Sequence, residues 1–154
     1  AAKYNRNFFV EVECLLEHEK TLQLDKVQTW IDFFNKINEL KKKTMDFIKA
    51  EKANGKTIYG YGASTKGNTT LQYFGIDNLM LTAIADRSPY KHGLRTVGSD
   101  IPIVSEEEMR AAQPDYLLIL PFHFLKEFIE RESEYLTKGG KFIVISPEFK
   151  IIEK

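Results

Sequence analysis

The sequence predicts an α/β, Rossmann-like fold, in which a mostly parallel sheet with flanking helices follows a long N-terminal amphipathic helix. Two observations indicate this fold class. Short β-rich runs alternate with helical runs after residue 55, a rhythm that is typical of a parallel sheet with helices on both faces. A glycine-rich turn also follows the first of these strands, where folds of this class bind nucleotides.

The long helix is predicted from Asp25 to about Lys52. Apolar residues recur there mostly at three- and four-residue steps: Val27, Trp30, Ile31, Phe34, Ile37, Leu40, Phe47 and Ile48. Such spacing indicates an amphipathic helix, whose lysine-rich opposite face we expect in solvent. Asn54-Gly55 is a typical helix end. We therefore divide the chain into an N-terminal helical linker segment, residues 1–54, and a Rossmann-like domain, residues 55–154.

The second part of the chain contains alternating strands and helices. Strands are predicted at Thr57–Tyr61, Leu81–Ala85, Tyr116–Leu120 and Lys141–Ser146, and helices at Thr69–Phe74, Ser105–Ala112 and Phe124–Leu136. Ser105 and Glu108 have the spacing of a capping box, which marks a helix start. The segment between Asp86 and Pro102 has no clear periodicity and is longer than most connections. Long loops of this kind are often functional.

Composition excludes several classes of function. The chain has 22 basic and 22 acidic residues, so no overall field attracts nucleic acid or an anionic membrane. Cys14 is the single cysteine, which excludes an internal disulfide and a cysteine-based zinc site and suits a reducing cytoplasm. No apolar run is long enough to span a bilayer, and no signal peptide is evident, so we expect a cytoplasmic protein. A start at Ala1 without methionine suggests a fragment.

The glycine-rich turn is the strongest local signal for a ligand site. Gly60, Gly62 and Gly67 allow sharp bends and close approach to a ligand, and Lys66 adds charge. Such a turn before a helix suits an anion, most often a phosphate. The spacing matches neither the dinucleotide fingerprint nor the P-loop. A phosphate site and a tight structural turn with an exposed lysine therefore both remain open.

A second candidate region follows the second predicted strand. Asp86 lies just over 20 residues after the glycine turn, where dinucleotide-binding folds place a carboxylate that binds ribose hydroxyls. It could instead cap the turn at Ser88-Pro89. Lys91 could neutralise a phosphate or be an ordinary exposed lysine. The sequence alone leaves these alternatives open.

The sequence gives little support for catalysis within this chain. His18, His92 and His123 do not have the spacing of a metal site on one helix, so no metal is predicted. His123 follows a predicted strand and is a candidate general base, with a packing role as the alternative. Glu17, His18 and Glu19 form either a solvated polar turn or a proton-handling group.

Several motifs occur together in order and register. They are Gly60–Thr69 with Leu71–Ile76, Asp86–Gly93, Ile101–Ile103, Pro114–Tyr116 and Gly139–Ile143. With these motifs the chain resembles the C-terminal domain of the S-adenosylmethionine-dependent sugar-nucleotide C-methyltransferase family. These enzymes methylate a carbon of a nucleotide-linked deoxysugar or ketosugar. The resemblance covers nearly the whole chain, including the long helix that joins the middle and C-terminal domains in that family.

The resemblance implies a substrate site in the two loops. The residues that it implies contact a nucleotide-sugar substrate are Gly62, Ser64, Lys66, Gly67, Asn68, Thr69, Asp86, Ser88 and Lys91. In the full-length family enzyme, an N-terminal module binds zinc and a middle domain binds S-adenosylmethionine. Neither a cysteine cluster nor an acidic-Gly-x-Gly-x-Gly motif occurs in these 154 residues. We therefore expect no cofactor in this chain, which would be inactive alone, and a methyltransferase domain supplied in cis or in trans.

Two other functions remain as alternatives. The fold and Asp86 would suit an NAD(P)-dependent oxidoreductase, although the glycine spacing does not match that class. A non-catalytic interaction module is the other alternative, with the long helix docking a partner through Trp30, Ile31 and Phe34.

Overall fold

The described part of the chain is an α/β structure built around one sheet. The computed structural model describes residues 6–154, with side chains from residue 10 onward. The sheet has six strands in the order β3-β2-β1-β4-β5-β6. Its strands are β1 (Ile58–Tyr61), β2 (Ile84–Ala85), β3 (Ile103–Val104), β4 (Tyr116–Ile119), β5 (Lys141–Val144) and β6 (Lys150–Ile152). All neighbours pair in parallel except β5 and β6. The predicted fold class is confirmed.

The described helices precede the sheet or connect its strands. They are α1 (Arg6–Thr21), α2 (Val27–Ala53), α3 (Thr65–Phe74), α4 (Glu106–Ala112), α5 (Leu125–Arg131) and α6 (Ser133–Thr137). Two short 3₁₀ helices cover Pro89–Lys91 and Phe122–Phe124. Backbone contacts divide the chain into two compact units, residues 1–39 and residues 40–154. The domain boundary expected at residue 54 stays a prediction.

The first unit contains α1 and the beginning of α2. None of the side chains described in it is buried, and Trp30 and Ile31 are about half exposed. Glu17, His18 and Glu19 lie in α1, not in a polar turn, and Glu17 forms an exposed ion pair with Lys20. The sequence assigned residues 1–54 to a helical segment but gave no bounds for this helix, because Val10-Glu11-Val12-Glu13 alternates with a period of two, which is the pattern of a strand.

The long helix α2 confirms the helix predicted from the apolar periodicity. Its part in the second unit buries Thr44 and Ile48. The helix ends at Ala53, and Gly55 takes a left-handed conformation with φ +77°. In that conformation the Gly55 N–H donates to the carbonyl of Lys52, so an otherwise unpaired carbonyl at the helix end is satisfied.

Alternate residues of the central strands pack on opposite faces of the sheet. One face carries Tyr61, Leu117 and Phe142, which form a buried cluster with Met109 of α4 and Phe128 of α5. The other face carries the buried residues Ile58, Ile84, Leu118 and Ile143. The central strands are therefore apolar on both faces, as expected for a parallel sheet that helices cover.

Three predicted elements differ clearly from the structure. Helix α3 begins at Thr65, four residues before the predicted start, because Ser64 caps it and Gly67 is accommodated inside it. Only Ile84–Ala85 of the predicted strand Leu81–Ala85 is in the sheet. The helix predicted at Phe124–Leu136 is divided into α5 and α6 at Glu132, whose φ of −100° leaves helical geometry.

The edge strands β3 and β6 were not predicted. β3 has only two residues and follows Pro102, and β6 has three residues near the end of the chain. Runs this short carry almost no periodic signal, which is why the sequence did not predict them. They are strands because of the strands beside them in the sheet. Among the described residues, no helix is both long and apolar enough to cross a membrane.

The strand order reverses between β1 and β4. From β1 the chain continues to β2 and β3 on one side, and from β4 it continues to β5 and β6 on the other. In open sheets of this kind, ligands bind beyond the carboxyl ends of the strands at such a switch point. The glycine turn after β1, the loop after β2 and the 3₁₀ turn after β4 all lie at this edge.

Candidate functional site

A cavity of about 200 Å³ lies at the carboxyl ends of β1, β2 and β4. Its lining combines three parts of the second unit. The glycine turn contributes Gly62–Ser64, the loop after β2 contributes Asp86, Arg87 and Lys91, and the helical side contributes Glu106, Phe124, Phe128 and Arg131. The cavity therefore lies at the switch point of the sheet, beside both loops that the sequence singled out.

The glycine turn is fixed by close packing. Gly62 has φ +84°, and a Cβ atom added there would lie 2.6 Å from Cγ of Pro121. A Cβ atom on Gly67 would lie 2.7 Å from Cβ of Leu120. Both contacts are shorter than real Cβ contacts, so glycine is required for this approach of α3 to the end of β4.

Helix α3 starts at the cavity. Ser64 is its N-cap, and the Ser64 hydroxyl accepts from the Gly67 N–H at 3.0 Å. The N–H groups of Thr65 and Lys66, in the first turn, have no hydrogen-bond partner among the described residues. Unpaired N–H groups and the positive end of the helix dipole favour an anion at such a position.

The other predicted residues of the first motif lie on α3 outside the cavity lining. The Lys66 side chain is exposed and makes no hydrogen bond or ion pair within the described part of the chain. Thr69 is exposed, and its hydroxyl donates to the Thr65 carbonyl. Oδ1 of Asn68 is buried and has no hydrogen-bond partner in the structure as described. It stays a prediction that these residues, and Gly67, contact the substrate.

Asp86 caps the turn at Ser88-Pro89, which is one of the two roles that the sequence left open for it. Its Oδ1 accepts from the Ser88 N–H at 2.8 Å, and its Oδ2 accepts from the Ala63 N–H at 2.7 Å. The Lys91 ammonium also donates to Oδ2 of Asp86, at 3.1 Å. Ser88 does not line the cavity. Asp86 therefore connects the loop after β2 with the glycine turn after β1.

Aromatic side chains form one wall of the cavity. The rings of Tyr61 and Phe128 meet edge to face at a centroid distance of 4.9 Å, and Phe124 lies 6.2 Å from Phe128. Phe124 is about half exposed. Such a wall offers apolar surface to a flat or weakly polar part of a ligand.

A buried polar network lies behind this wall. Oε1 of Glu106 accepts from Arg131 at 2.9 Å and lies 2.9 Å from the hydroxyl oxygen of Tyr61. Arg110 donates to both Glu106 and Glu132, and hydrogen bonding to Glu132 raises the pKa of Arg110. The network joins the end of β1 to α4, α5 and the start of α6. It holds the cavity wall in place, because every charged group in it has an opposite partner.

His123 lies outside this cavity lining. Its ring is exposed in the 3₁₀ turn after β4 and packs beside Phe122, with ring centroids 4.3 Å apart. A catalytic role for His123 stays a prediction.

His92 is held by the loop after β2, since its Nε2 lies 2.8 Å from the Asp86 carbonyl oxygen. No group of three or more histidine, cysteine or acidic side chains within the described residues is placed to hold a metal ion.

The lining residues that the sequence did not single out include Arg87, Glu106, Phe124, Phe128 and Arg131. Arg87 had a usable signal, because it follows β2 directly after Asp86. The other four belong to helical segments, and only tertiary packing brings them to the cavity.

The domain is a Rossmann-like α/β domain, and its cavity lies at the switch point, the place where domains of this class bind ligands. Residues 2–147 match the family described as C-methyltransferase C-terminal domain. The chain belongs to this family. It is also similar to the C-methyltransferase NovU of Streptomyces niveus, with 33% identity over 138 residues. The match covers 90% of this chain and 33% of NovU, so the chain spans about a third of the length of this relative.

Proposed function

We propose that this chain is the sugar-nucleotide-binding part of an S-adenosylmethionine-dependent C-methyltransferase that acts on a nucleotide-linked deoxysugar or ketosugar. The observation that carries the proposal is the cavity at the switch point. It combines the start of α3, a cationic loop and an aromatic wall. These groups suit a phosphate together with a less polar sugar or base.

Binding of the nucleotide would serve the methyl transfer from a distance. C-methylation needs a carbanion or enolate held in line with the methyl group, so orientation of the sugar carbon contributes much of the rate. Contacts to the diphosphate and nucleoside give binding energy far from the reacting atoms, and that energy can fix this orientation. The residues of this chain bind and orient the acceptor in this proposal, whereas the base belongs to another domain.

S-adenosylmethionine would supply the methyl group from a separate domain, in cis or in trans. Asp86 occupies the position at which dinucleotide-binding folds place the carboxylate that accepts hydrogen bonds from the ribose hydroxyls. Both of its oxygens already accept hydrogen bonds within the chain. The same arrangement disfavours the NAD(P)-dependent oxidoreductase. A cytoplasmic location and a zinc module in the full-length enzyme are further parts of the proposal.

Calorimetric titration with three ligands tests this proposal. We expect the chain to bind a thymidine diphosphate-sugar and to bind neither S-adenosylmethionine nor NAD. Lys66 lies outside the cavity lining, so Lys66→Ala tests whether the substrate extends to this side chain, in which case loss of one charge-assisted contact should weaken binding about tenfold. Lys49→Ala is the control, because Lys49 is another exposed lysine without an ion-pair partner among the described residues.

Each other outcome has a distinct meaning. Tight binding of NAD would favour the oxidoreductase. No binding of the sugar nucleotide, by this chain or by the chain joined to a methyltransferase domain, would contradict the proposed function and favour an interaction module. The half-exposed Trp30 and Ile31 would then be the first residues to test for partner binding.

A further inference from the structure

The Asp86 carboxylate is occupied by hydrogen bonds within the chain. Its side chain is only 10% exposed. The Ala63 and Ser88 N–H groups donate to its two oxygens, and Lys91 donates a third bond. An ionised carboxylate with three donors around it is well satisfied, and its hydrogen bonds are stronger than those between neutral groups. A substrate hydroxyl would have to compete with these bonds.

Lys91 is also held inside the protein. Its ammonium group donates to the Ala63 carbonyl at 2.8 Å as well as to Asp86. Two of its three donors are therefore in use. Because Asp86 and Lys91 bond to the N–H and the carbonyl of the same residue, Ala63, they clamp the glycine turn from both sides of its backbone.

Arg87 lies between these two residues in sequence and has a different environment. Its side chain is exposed and lines the cavity. It makes no hydrogen bond or ion pair with any residue that the structure describes. All five guanidinium N–H donors are therefore available, in the planar arrangement that binds phosphate oxygens in pairs.

The charges around the cavity identify Arg87 as the available cation. The lining contains the cations Arg87, Lys91 and Arg131 and the carboxylates of Asp86 and Glu106. Lys91 is paired with Asp86, and Arg131 is paired with Glu106. Within the described lining, Arg87 is left without a counter-ion. Ser64, the N-cap of α3, lines the same cavity, so the helix start adds favourable potential for an anion.

We infer that Arg87 binds the phosphates of the substrate, and that Asp86 and Lys91 are positioning residues that hold the glycine turn. The ligand class is a diphosphate, and its assignment to a sugar nucleotide rests on the proposed function. Asp86 fixes the loop that carries Arg87 through the Ser88 N–H and fixes the turn through the Ala63 N–H. The sequence indicated Asp86 and Lys91 as ligand contacts, whereas in this inference Arg87 makes the contact with the phosphates.

Binding of inorganic pyrophosphate tests the role of Arg87. Calorimetry at low ionic strength should show that Arg87→Gln weakens pyrophosphate binding about tenfold or more, because a guanidinium–phosphate contact is lost. Arg87→Lys should recover part of the affinity, since it restores charge without the planar donor pair. Lys49→Gln is the matched control that removes an exposed positive charge elsewhere.

Hydrogen exchange in the ligand-free protein tests the clamp. The Ala63 amide should exchange about tenfold faster in Asp86→Asn and in Lys91→Met, because both variants weaken the bonds around this residue. Arg87→Gln should leave its exchange unchanged. Two clamp variants are used so that a folding failure in one still leaves a measurement.

Several results would overturn the inference. They are pyrophosphate binding that Arg87→Gln does not weaken, no pyrophosphate binding by the unmodified chain, and unchanged exchange at Ala63 in both clamp variants. Failure of the proposed function is a different result. The proposed function would fail if pyrophosphate binding depended on Arg87 but the sugar nucleotide bound no more tightly than pyrophosphate. The inference alone would fail if the sugar nucleotide bound equally well to the unmodified chain and to Arg87→Gln.

Discussion

The hydroxyl oxygen of Tyr61 lies 2.6 Å from Oε1 of Glu132, and each of these residues is only 1% exposed. Burial raises the pKa of the Tyr61 hydroxyl, and the hydrogen bond to Glu132 raises it further. The tyrosine therefore keeps its proton at neutral pH. One buried hydroxyl links the end of β1 to the residue at which the chain passes from α5 to α6.

Removing this hydroxyl should destabilise the fold. Tyr61→Phe leaves two buried carboxylates with one donor fewer, and we expect a loss of about 1–3 kcal/mol in the free energy of unfolding. Tyr59→Phe is the control on the same strand, because the Tyr59 hydroxyl has no hydrogen bond to a described residue. Urea denaturation of both variants measures the difference. Equal stability of the two variants would show that the buried network contributes little.

Gly67→Ala should destabilise the protein although alanine favours helices. The helix propensity gain is about 1 kcal/mol, but the new Cβ would lie 2.7 Å from Cβ of Leu120. Overpacking of this kind costs about 1–3 kcal/mol, so we expect a net loss in thermal and urea stability. Thr69→Ala places an alanine at an exposed position of the same helix and should change stability by less than about 0.5 kcal/mol. A Gly67→Ala variant more stable than the unmodified chain would contradict this packing argument.

Asp115 should contribute to stability in a defined range of acid pH. The Thr57 N–H and then the Lys56 ammonium lower the pKa of Asp115 to about 2, whereas the pKa of an aspartate in an unfolded chain is about 3.9. Its contribution is complete above about pH 4 and is lost as the pH falls toward about 2. The side chain is 35% exposed, so solvent screening limits the contribution to about 1 kcal/mol.

The acid dependence can be measured by urea unfolding from pH 7 to pH 2. Asp115→Asn should be less stable at neutral pH and should lose less stability between about pH 4 and pH 2. Asp46→Asn removes an exposed carboxylate paired with Lys42 and should retain the acid dependence of the unmodified chain. Parallel acid curves for Asp115→Asn and the unmodified chain would rule out this role for Asp115.

The capping box of α4 offers a smaller and separable effect. The Ser105 hydroxyl accepts from the Glu108 N–H at 3.0 Å, and Glu108 accepts from the Ser105 N–H at 2.8 Å. Ser105→Ala should cost about 1 kcal/mol. Glu108→Gln should cost less, because glutamine can complete the same box. Thermal melts of the two variants give the ranking, and the reverse order would contradict the capping interpretation.

Local sequence signals were sufficient for much of the fold. The apolar periodicity located α2, and the Ser105–Glu108 spacing located the start of α4. The central strands β1, β4 and β5 were predicted because each is a compact run of buried apolar residues. The two-residue strand β3 and the bounds of α1 could not be predicted in this way, since the strand is too short and residues 10–13 of the helix alternate like a strand.

The candidate site was predictable only where it follows a strand directly. Gly62, Ser64, Asp86 and Lys91 line the cavity as their positions after β1 and β2 suggested. Spacing alone could not distinguish a carboxylate free for ligand from one bonded to its own backbone, as Asp86 is. Nor could it place Phe128 and Arg131, which reach the cavity because α5 packs on the sheet.

At the centre of the network, the buried Glu106 and Glu132 are paired with Arg110 and Arg131 around one neutral tyrosine. Loss of Arg110 would leave Glu132, which is only 1% exposed, without an ion-pair partner among the described residues, and an unpaired buried charge is costly. We therefore expect these positions to be replaced together in the history of the family. A relative that lacks Arg110 should also lack one of its glutamate partners, and deep sequence sampling can look for that paired replacement.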